Sequence, residues 1–241
     1  MLHKTRGIVL KTTQYSESSV VAQIFTDKFG IQSYMINGVK KPRAKISMNM
    51  LQPLHLADMI VYHKTNTSIQ RVSELRPSPV FANIPYDVVK RTMVMFLNEV
   101  LYKSIRQQTA DEHLFDYLYH AICWLDACED LNVNFHLSFL IKLSKYLGFA
   151  PNTEKRAGDD YFDLHEGEFC QRIPGHGNFL DLSQANLFTA LFVTPFERLD
   201  DFHINNASRR ILLDKLLIYY RLHTASFGEI HSHLVLEEVL S

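Results

Sequence analysis

Over the first eighty residues, apolar and polar side chains alternate with a period close to two. Beyond about residue 86 the period lengthens to that of a helix. Five segments carry the short period: 3–11 (HKTRGIVLK), 20–27 (VVAQIFTD), 31–37 (IQSYMIN), 54–64 (LHLADMIVYHK) and 68–75 (SIQRVSEL). All are rich in β-branched and aromatic residues, as half-buried strands are. In the third, Gln32, Tyr34 and Ile36 share one side, and Ile31, Ser33, Met35 and Asn37 the other. Polar Tyr15–Ser18, the Lys28-Phe29-Gly30 turn and polar Lys64–Thr67 separate the segments. Five short strands in so few residues predict a small closed barrel of the OB type, a fold that commonly binds oligonucleotides.

Arg76, Pro77, Ser78 and Pro79 form a stiff connector, because proline fixes φ and turns its predecessor away from helix. After it, Val89, Met93, Phe96, Leu97, Val100 and Leu101 fall on one helical face. A second helix over 111–128 groups Leu114, Phe115, Leu118, Ile122 and Leu125, and a third over 134–147 stops at Gly148. Residues 150–181 are broken by Pro151, Gly158, Gly167, Pro174, Gly175 and Gly177, with one hairpin expected between 161–164 and 168–172. Helices resume over 183–192 and 206–223, with a short final one near 229–240. The 206–223 segment is apolar on almost every side, which argues for burial in the middle of the helical domain. The expected fold class is therefore α+β in two domains. A five-stranded OB-type barrel (1–80) precedes an all-α helical domain (81–241) with an irregular, hairpin-bearing insertion (150–181).

Charge changes this picture more than composition does. The 241 residues carry a net charge of −1. Residues 1–80, however, hold eleven Lys and Arg against four Asp and Glu, while 81–241 hold fourteen against twenty-two. A cationic half beside an anionic one points to a polyanion partner for the former. The densest cluster is Lys40, Lys41, Arg43 and Lys45 in GVKKPRAK. Four cations in six positions cannot be desolvated together, so they face water or phosphates. Arg209 and Arg210, opening the 206–223 helix, are a second candidate phosphate contact, or a surface pair bonded to acids such as Asp200 and Asp201. Tyr15, Phe25, Phe29, Tyr34 and Tyr62 are the aromatics on offer for base stacking. Phe25 reads as core, whereas Tyr34 and Tyr62 suit either role.

Other chemistries find little support. Cys123, Cys128 and Cys170 are the three cysteines, with no CxxC, so a reducing cytoplasm is expected and a disulfide framework is not. No apolar run has membrane-spanning length, and the N-terminus lacks the layout of a secretory signal. His165, Cys170 and His176 offer three metal ligands where structural zinc takes four, so neither metal nor other cofactor is expected. No phosphate-cradling GxxxxGK[ST] loop and no deaminase pattern occur, and Asp159-Asp160 and Asp200-Asp201 read as solvated loop acids. No catalytic residue is assigned. A nuclease-like DNA-processing enzyme and a protein-only adaptor are the alternatives to a DNA-binding factor.

Residues 7–45, GIVLKTTQYSESSVVAQIFTDKFGIQSYMINGVKKPRAK, resemble the RecO recombination mediators in their strand, Tyr-Ser-Glu-Ser turn, strand ending in Thr, Gly-containing hairpin and basic loop. Leu51-Gln52-Pro53-Leu54, the run FLIKLSKYLGFAP at 139–151 and the order Tyr…His…Phe…Ser…Leu over 219–240 fit the same family. The resemblance implies an N-terminal OB-fold and a helical C-terminal domain. It further implies binding of single- and double-stranded DNA, strand annealing, partnership with RecR, and help in loading RecA onto DNA coated by single-strand-binding protein. Its DNA contacts map onto Lys40, Lys41, Arg43 and Lys45, and less directly onto Arg209 and Arg210. The setting it implies is the cytoplasm, at the nucleoid. Two departures stand out. Many members hold zinc through four cysteines after the Leu-Gly-Tyr helix, whereas here only Cys170 remains. Some members also grip the acidic tail of single-strand-binding protein with basic residues, where this chain has Asn134, His136 and Ser138; Lys142 and Lys145 are the substitutes on offer.

Overall fold

The computed structural model describes residues 1–106 and 109–241. They form two compact units, Met1–Cys128 and Glu129–Ser241. The change from strand to helix falls at the proline connector near residue 80, but the division between compact units falls after the first two helices. Composition marks where secondary structure changes; packing decides which elements cohere.

In the first unit, β1 (Leu2–Gln14), β2 (Val20–Thr26), β3 (Gly30–Ile36), β4 (Leu56–Tyr62) and β5 (Ile69–Pro77) close a barrel in the order β1-β2-β3-β5-β4. The five expected strands are all present, and the OB-type arrangement follows from their order. One long strand makes closure possible. The first half of β1 pairs with β4 (Leu2↔Tyr62 to Ile8↔Leu56) and the second with β2 (Gly7↔Thr26 to Gln14↔Val20). The β1–β2 register shifts between Val9 and Lys11, an irregularity of the kind that bends a strand around a barrel corner. Gly7 lies at the overlap, where a Cβ would sit 2.6 Å from the Ile24 side chain and 2.7 Å from the Met59 sulfur. The last seam, β3 against β5, is parallel and only three residue pairs long, Ser33↔Ile69 to Met35↔Arg71.

The interior takes every second residue. Val20, Ala22 and Ile24, Tyr34 and Ile36, and Ala57, Met59 and Val61 fill it, as the two-residue period requires. Helices α1 (Val88–Ser104) and α2 (Glu112–Ala127) complete this unit. Each begins at an aspartate, Asp87 or Asp111, whose carboxylate accepts the backbone N–H three residues on. Their apolar faces are buried as their spacing predicts, with Leu114, Phe115, Leu118, Ile122 and Leu125 closed to solvent. The Lys90 side chain, 1% exposed, donates to the carbonyls of Asp126 and Cys128 at the end of α2. The Asp126 carboxylate accepts the N–H groups of Ala82, Asn83 and Ile84 at 2.8–2.9 Å. These charged groups therefore tie the connector and both helices together, and the Lys90 ammonium and the Asp126 carboxylate each find hydrogen-bond partners in the interior.

In the second unit, α3 (Phe135–Tyr146) ends as its sequence predicts. Gly148 has φ +90° and the Phe149 N–H returns to the Ser144 carbonyl at 2.9 Å. The expected hairpin forms from β6 (Tyr161–Asp163) and β7 (Glu168–Cys170). A third strand, β8 (Phe179–Asp181), pairs on the other side of β6 and was not expected. Asp181 then opens α4 (Leu182–Val193) through a reciprocal cap with Gln184. The helices α5 (Asn206–His223) and α6 (Ser232–Val239) follow. Most apolar residues of α5 are buried, as expected, though not on every side. Leu212, Leu213, Leu216, Leu217, Tyr219 and Tyr220 face inward, while Ile211 and Asp214 face solvent. Among the described residues no helix is long and apolar enough to cross a membrane.

Candidate nucleic-acid interface

The cationic cluster follows β3 directly. Gly38, at φ +75°, turns the chain out of the strand. The Val39 N–H then bonds the Ser18 carbonyl at 2.9 Å and its side chain is buried, which pins the loop to the barrel. Two successive turns follow, Lys41 N–H to Gly38 O and Ala44 N–H to Lys41 O, at 3.1 and 3.0 Å. Lys40, Lys41, Arg43 and Lys45 are all exposed, and none joins an ion pair among the described residues. Lys41, Arg43 and Lys45 border a shallow groove of about 360 Å³ together with Arg71 of β5, and no acidic residue among the described ones lines it. The loop is thus shaped before any ligand arrives, which lowers the ordering cost of binding.

A larger groove, about 960 Å³, runs over β2 and β3 and the loop between β4 and β5. Lys28, Lys64 and Arg106 contribute positive charge to it, and Phe29, His63 and Tyr102 contribute rings. The β4–β5 loop owes its shape to Gln70, 3% exposed. Its amide accepts the Lys64 N–H at 3.0 Å and donates to the carbonyls of Lys64 and Thr67 at 2.8 and 2.9 Å. The His63 ring stacks on Phe29, with centroids 4.0 Å apart, while His3 meets Phe29 edge-on at 5.4 Å. Burial, with further contributions from His3 and the N-terminal ammonium, pushes the His63 pKa down and so favours the neutral ring. An OB barrel presents its β2–β3 face and its β1–β2 and β4–β5 loops to oligonucleotides, and this groove covers that face and the second of those loops.

The aromatics divide. Phe25 and Tyr34 are wholly buried; Phe25 packs on Phe115, and burial lifts the Tyr34 phenol above its usual range. Tyr34 is therefore core and not a stacking platform. Tyr15 and Tyr62 are exposed, and Phe29 with His63 is the pair that the alternation of residues did not single out.

Arg209 departs from its expected place on the surface. It is 6% exposed, and its guanidinium donates to Asn134 Oδ1, Ile204 O, Asn206 Oδ1 and Leu240 O. Arg209 shares a face with Leu212, Leu213, Leu216 and Tyr220 at helical spacing, and that spacing was the available sign that it turns inward. These bonds hold residue 240 and the start of α5, and the guanidinium is turned to the interior and away from any phosphate in solvent. Arg210 is half-exposed and pairs with Glu237 at 3.6 Å, and Asp200 and Asp201 have other partners, Asn132 and Arg198.

Around α3, Asn134, His136 and Ser138 are all interior, so no acidic tail can reach them there. Lys142 directs its ammonium to Ser138 Oγ and the carbonyls of Leu191 and Thr194, at 2.6–2.9 Å. Burial lowers its pKa to about 8. It closes the end of α4 and is not a free cation; Lys145 remains exposed. In the insertion, the His165 and His176 rings lie tilted at 34° with centroids 3.9 Å apart, His176 bonds Asp163, and the Cys170 thiol bonds the Arg172 carbonyl. The three residues do not converge as ligands among the described residues.

Comparison with known proteins gives a consistent result along the chain. Residues 1–81 match the family described as Recombination protein O N terminal, and residues 85–228 match Recombination protein O C terminal. The chain is 34% identical over 240 residues to the DNA repair protein RecO of Bacteroides fragilis, covering 99% of each. It is 33% identical over 241 residues to that of Phocaeicola vulgatus, covering all of both. To that of Flavobacterium psychrophilum it is 34% identical over 245 residues, covering 99% of each. With an OB-type barrel, a helical second half and similarity of this extent, the chain belongs to the RecO family of DNA repair and recombination proteins.

Proposed function

We propose that this protein binds single- and double-stranded DNA through its barrel, anneals complementary strands, and acts with RecR to load RecA onto DNA covered by single-strand-binding protein. One observation carries the reading: Lys40, Lys41, Arg43 and Lys45 stand open to solvent on a pre-shaped loop, unpaired among the described residues, beside a groove that adds Arg71. Phosphates brought against these cations release counterions, which gives affinity without sequence preference. The larger groove, with its rings and positive rim, suits single strands whose bases stack on aromatic side chains.

Annealing then follows from charge alone. Two strands held against one cationic face repel each other less, and no bond is made or broken, so the protein works as a mediator rather than an enzyme. Its place of action is the chromosomal DNA in the cytoplasm. Of the family's contact to the tail of single-strand-binding protein, only Lys145 remains as an exposed cation among the residues considered for it.

The test is a set of gel shifts on single-stranded and duplex DNA across a salt series, paired with annealing of labelled complementary strands, for the natural protein and a Lys40→Ala, Lys41→Ala, Arg43→Ala triple variant. The natural protein should retain both DNAs at low salt and anneal without cleaving them. Metal-dependent cleavage would instead indicate a nuclease, and no retention at low salt would indicate a protein-only adaptor. Unchanged affinity in the triple variant would remove the loop from the interface.

A further inference from the structure

In the second unit, Asp214 of α5 and His233 and Glu237 of α6 bring one potential ligand atom each to within 4.8 Å of one another. The spacing is what the chemistry needs. His233 and Glu237 are four residues apart and so lie one above the other on α6, while Asp214 comes from α5, five residues beyond the buried Arg209. The site is partly enclosed: Asp214 is exposed, and His233 and Glu237 are half-buried. His233 Nδ1 is shielded from solvent and has no hydrogen-bond partner among the described residues, which leaves a ring nitrogen uncommitted. Two carboxylates this close repel, and among the described residues the cation paired with them is Arg210, at 3.6 Å from Glu237. The group is thus short of one positive charge.

We infer that Asp214, His233 and Glu237 form a binding site for one divalent transition-metal ion of the zinc class, which clamps α6 onto α5. Imidazole selects such ions over magnesium or calcium, and the two carboxylates supply the anionic charge. A tetrahedral ion would be held at about 2.0–2.1 Å from each ligand atom, with water in the fourth position. Small side-chain rotations suffice, since Asp214 is free to move in solvent. The ion and Arg210 compete for Glu237, so each weakens the other's hold. This site shares no residue with the group of Cys170, His165 and His176 or with the proposed DNA face.

The experiment is a titration of chelator-treated full-length protein with Co²⁺, read by visible absorbance, followed by displacement with Zn²⁺ and thermal unfolding with and without Zn²⁺. The natural protein should take up one equivalent and unfold at a higher temperature with Zn²⁺. His233→Ala, Glu237→Gln and the solvent-exposed Asp214→Asn should each lose roughly tenfold or more in affinity. Arg210→Ala should bind more tightly than the natural protein, whereas a Cys170→Ala, His176→Ala variant should be unchanged. Absence of saturable Co²⁺ uptake by the natural protein overturns the inference. So does uptake that survives Asp214→Asn and His233→Ala, or that disappears with Cys170 and His176.

Discussion

The His63 ring lies nearly parallel to that of Phe29, 13° from coplanar, at the rim of the groove over β2 and β3. A flat pair at the edge of a cationic groove is a surface on which a base can continue the stack. Replacing His63 with Ala should weaken single-stranded DNA binding by about 1–3 kcal/mol, with a smaller effect on duplex, whose bases are already stacked. His63→Phe should restore it. Fluorescence anisotropy on both DNAs is the measurement, and equal losses on both would argue against stacking.

The basic loop predicts a different signature. Each phosphate contact removed should lower the slope of log affinity against log salt by about 0.9 on duplex and about 0.7 on single strands. Alanine at Lys40, Lys41, Arg43 and Lys45 should therefore flatten the salt dependence and weaken binding uniformly across sequences. A variant that lost affinity with its slope intact would assign the loss to something other than phosphates.

The two adjacent arginines should part company. Arg209→Met strips donors from four acceptors inside the second unit and should cost about 2–3 kcal/mol in urea unfolding. Its effect on DNA affinity should be small. Arg210→Ala removes a half-exposed ion pair and should change stability by less than about 1 kcal/mol.

His136 sets a pH response. Burial first, then the charge of Arg209, lowers its pKa from 6.5 to about 3. In the unfolded chain the imidazole takes up a proton near pH 6.5, while the folded one resists until about pH 3. Between those values the unfolded state binds more protons, and stability falls as pH is lowered, by up to about 1.4 kcal/mol per pH unit from this group. His136→Gln should be less stable at pH 7 yet show a shallower loss between pH 7 and 5.

Much of this was legible in the sequence, for identifiable reasons. The barrel strands were readable because alternate residues such as Ala57, Met59 and Val61 must enter a closed interior, and nothing else enforces a period of two. Helix faces and the Gly148 stop were readable on the same local grounds. What escaped was decided by distant partners. The strand β8 is three residues long, and its pairing with β6 defines it. Lys90 and Arg209 carry charge, which reads as surface, yet both stand on the buried stripe of their helices because carbonyls elsewhere in their own unit accept their hydrogen bonds. The open state of Lys40–Lys45 was expected from crowded charge, while the Phe29–His63 pair depended on bringing two barrel loops together.

The short parallel seam between β3 and β5 has a bearing on how the barrel breathes. Only Ser33–Met35 and Ile69–Arg71 close it, and parallel pairing is slightly weaker per residue than the antiparallel kind. Local opening is cheapest where the fewest bonds must break together, so amides along this seam should surrender deuterium protection before the rest of the barrel. Arg71 belongs to one lip of that slit and the basic loop grows from the other. A strand of DNA lying across both would act as a stitch, slowing the exchange of amides it never touches.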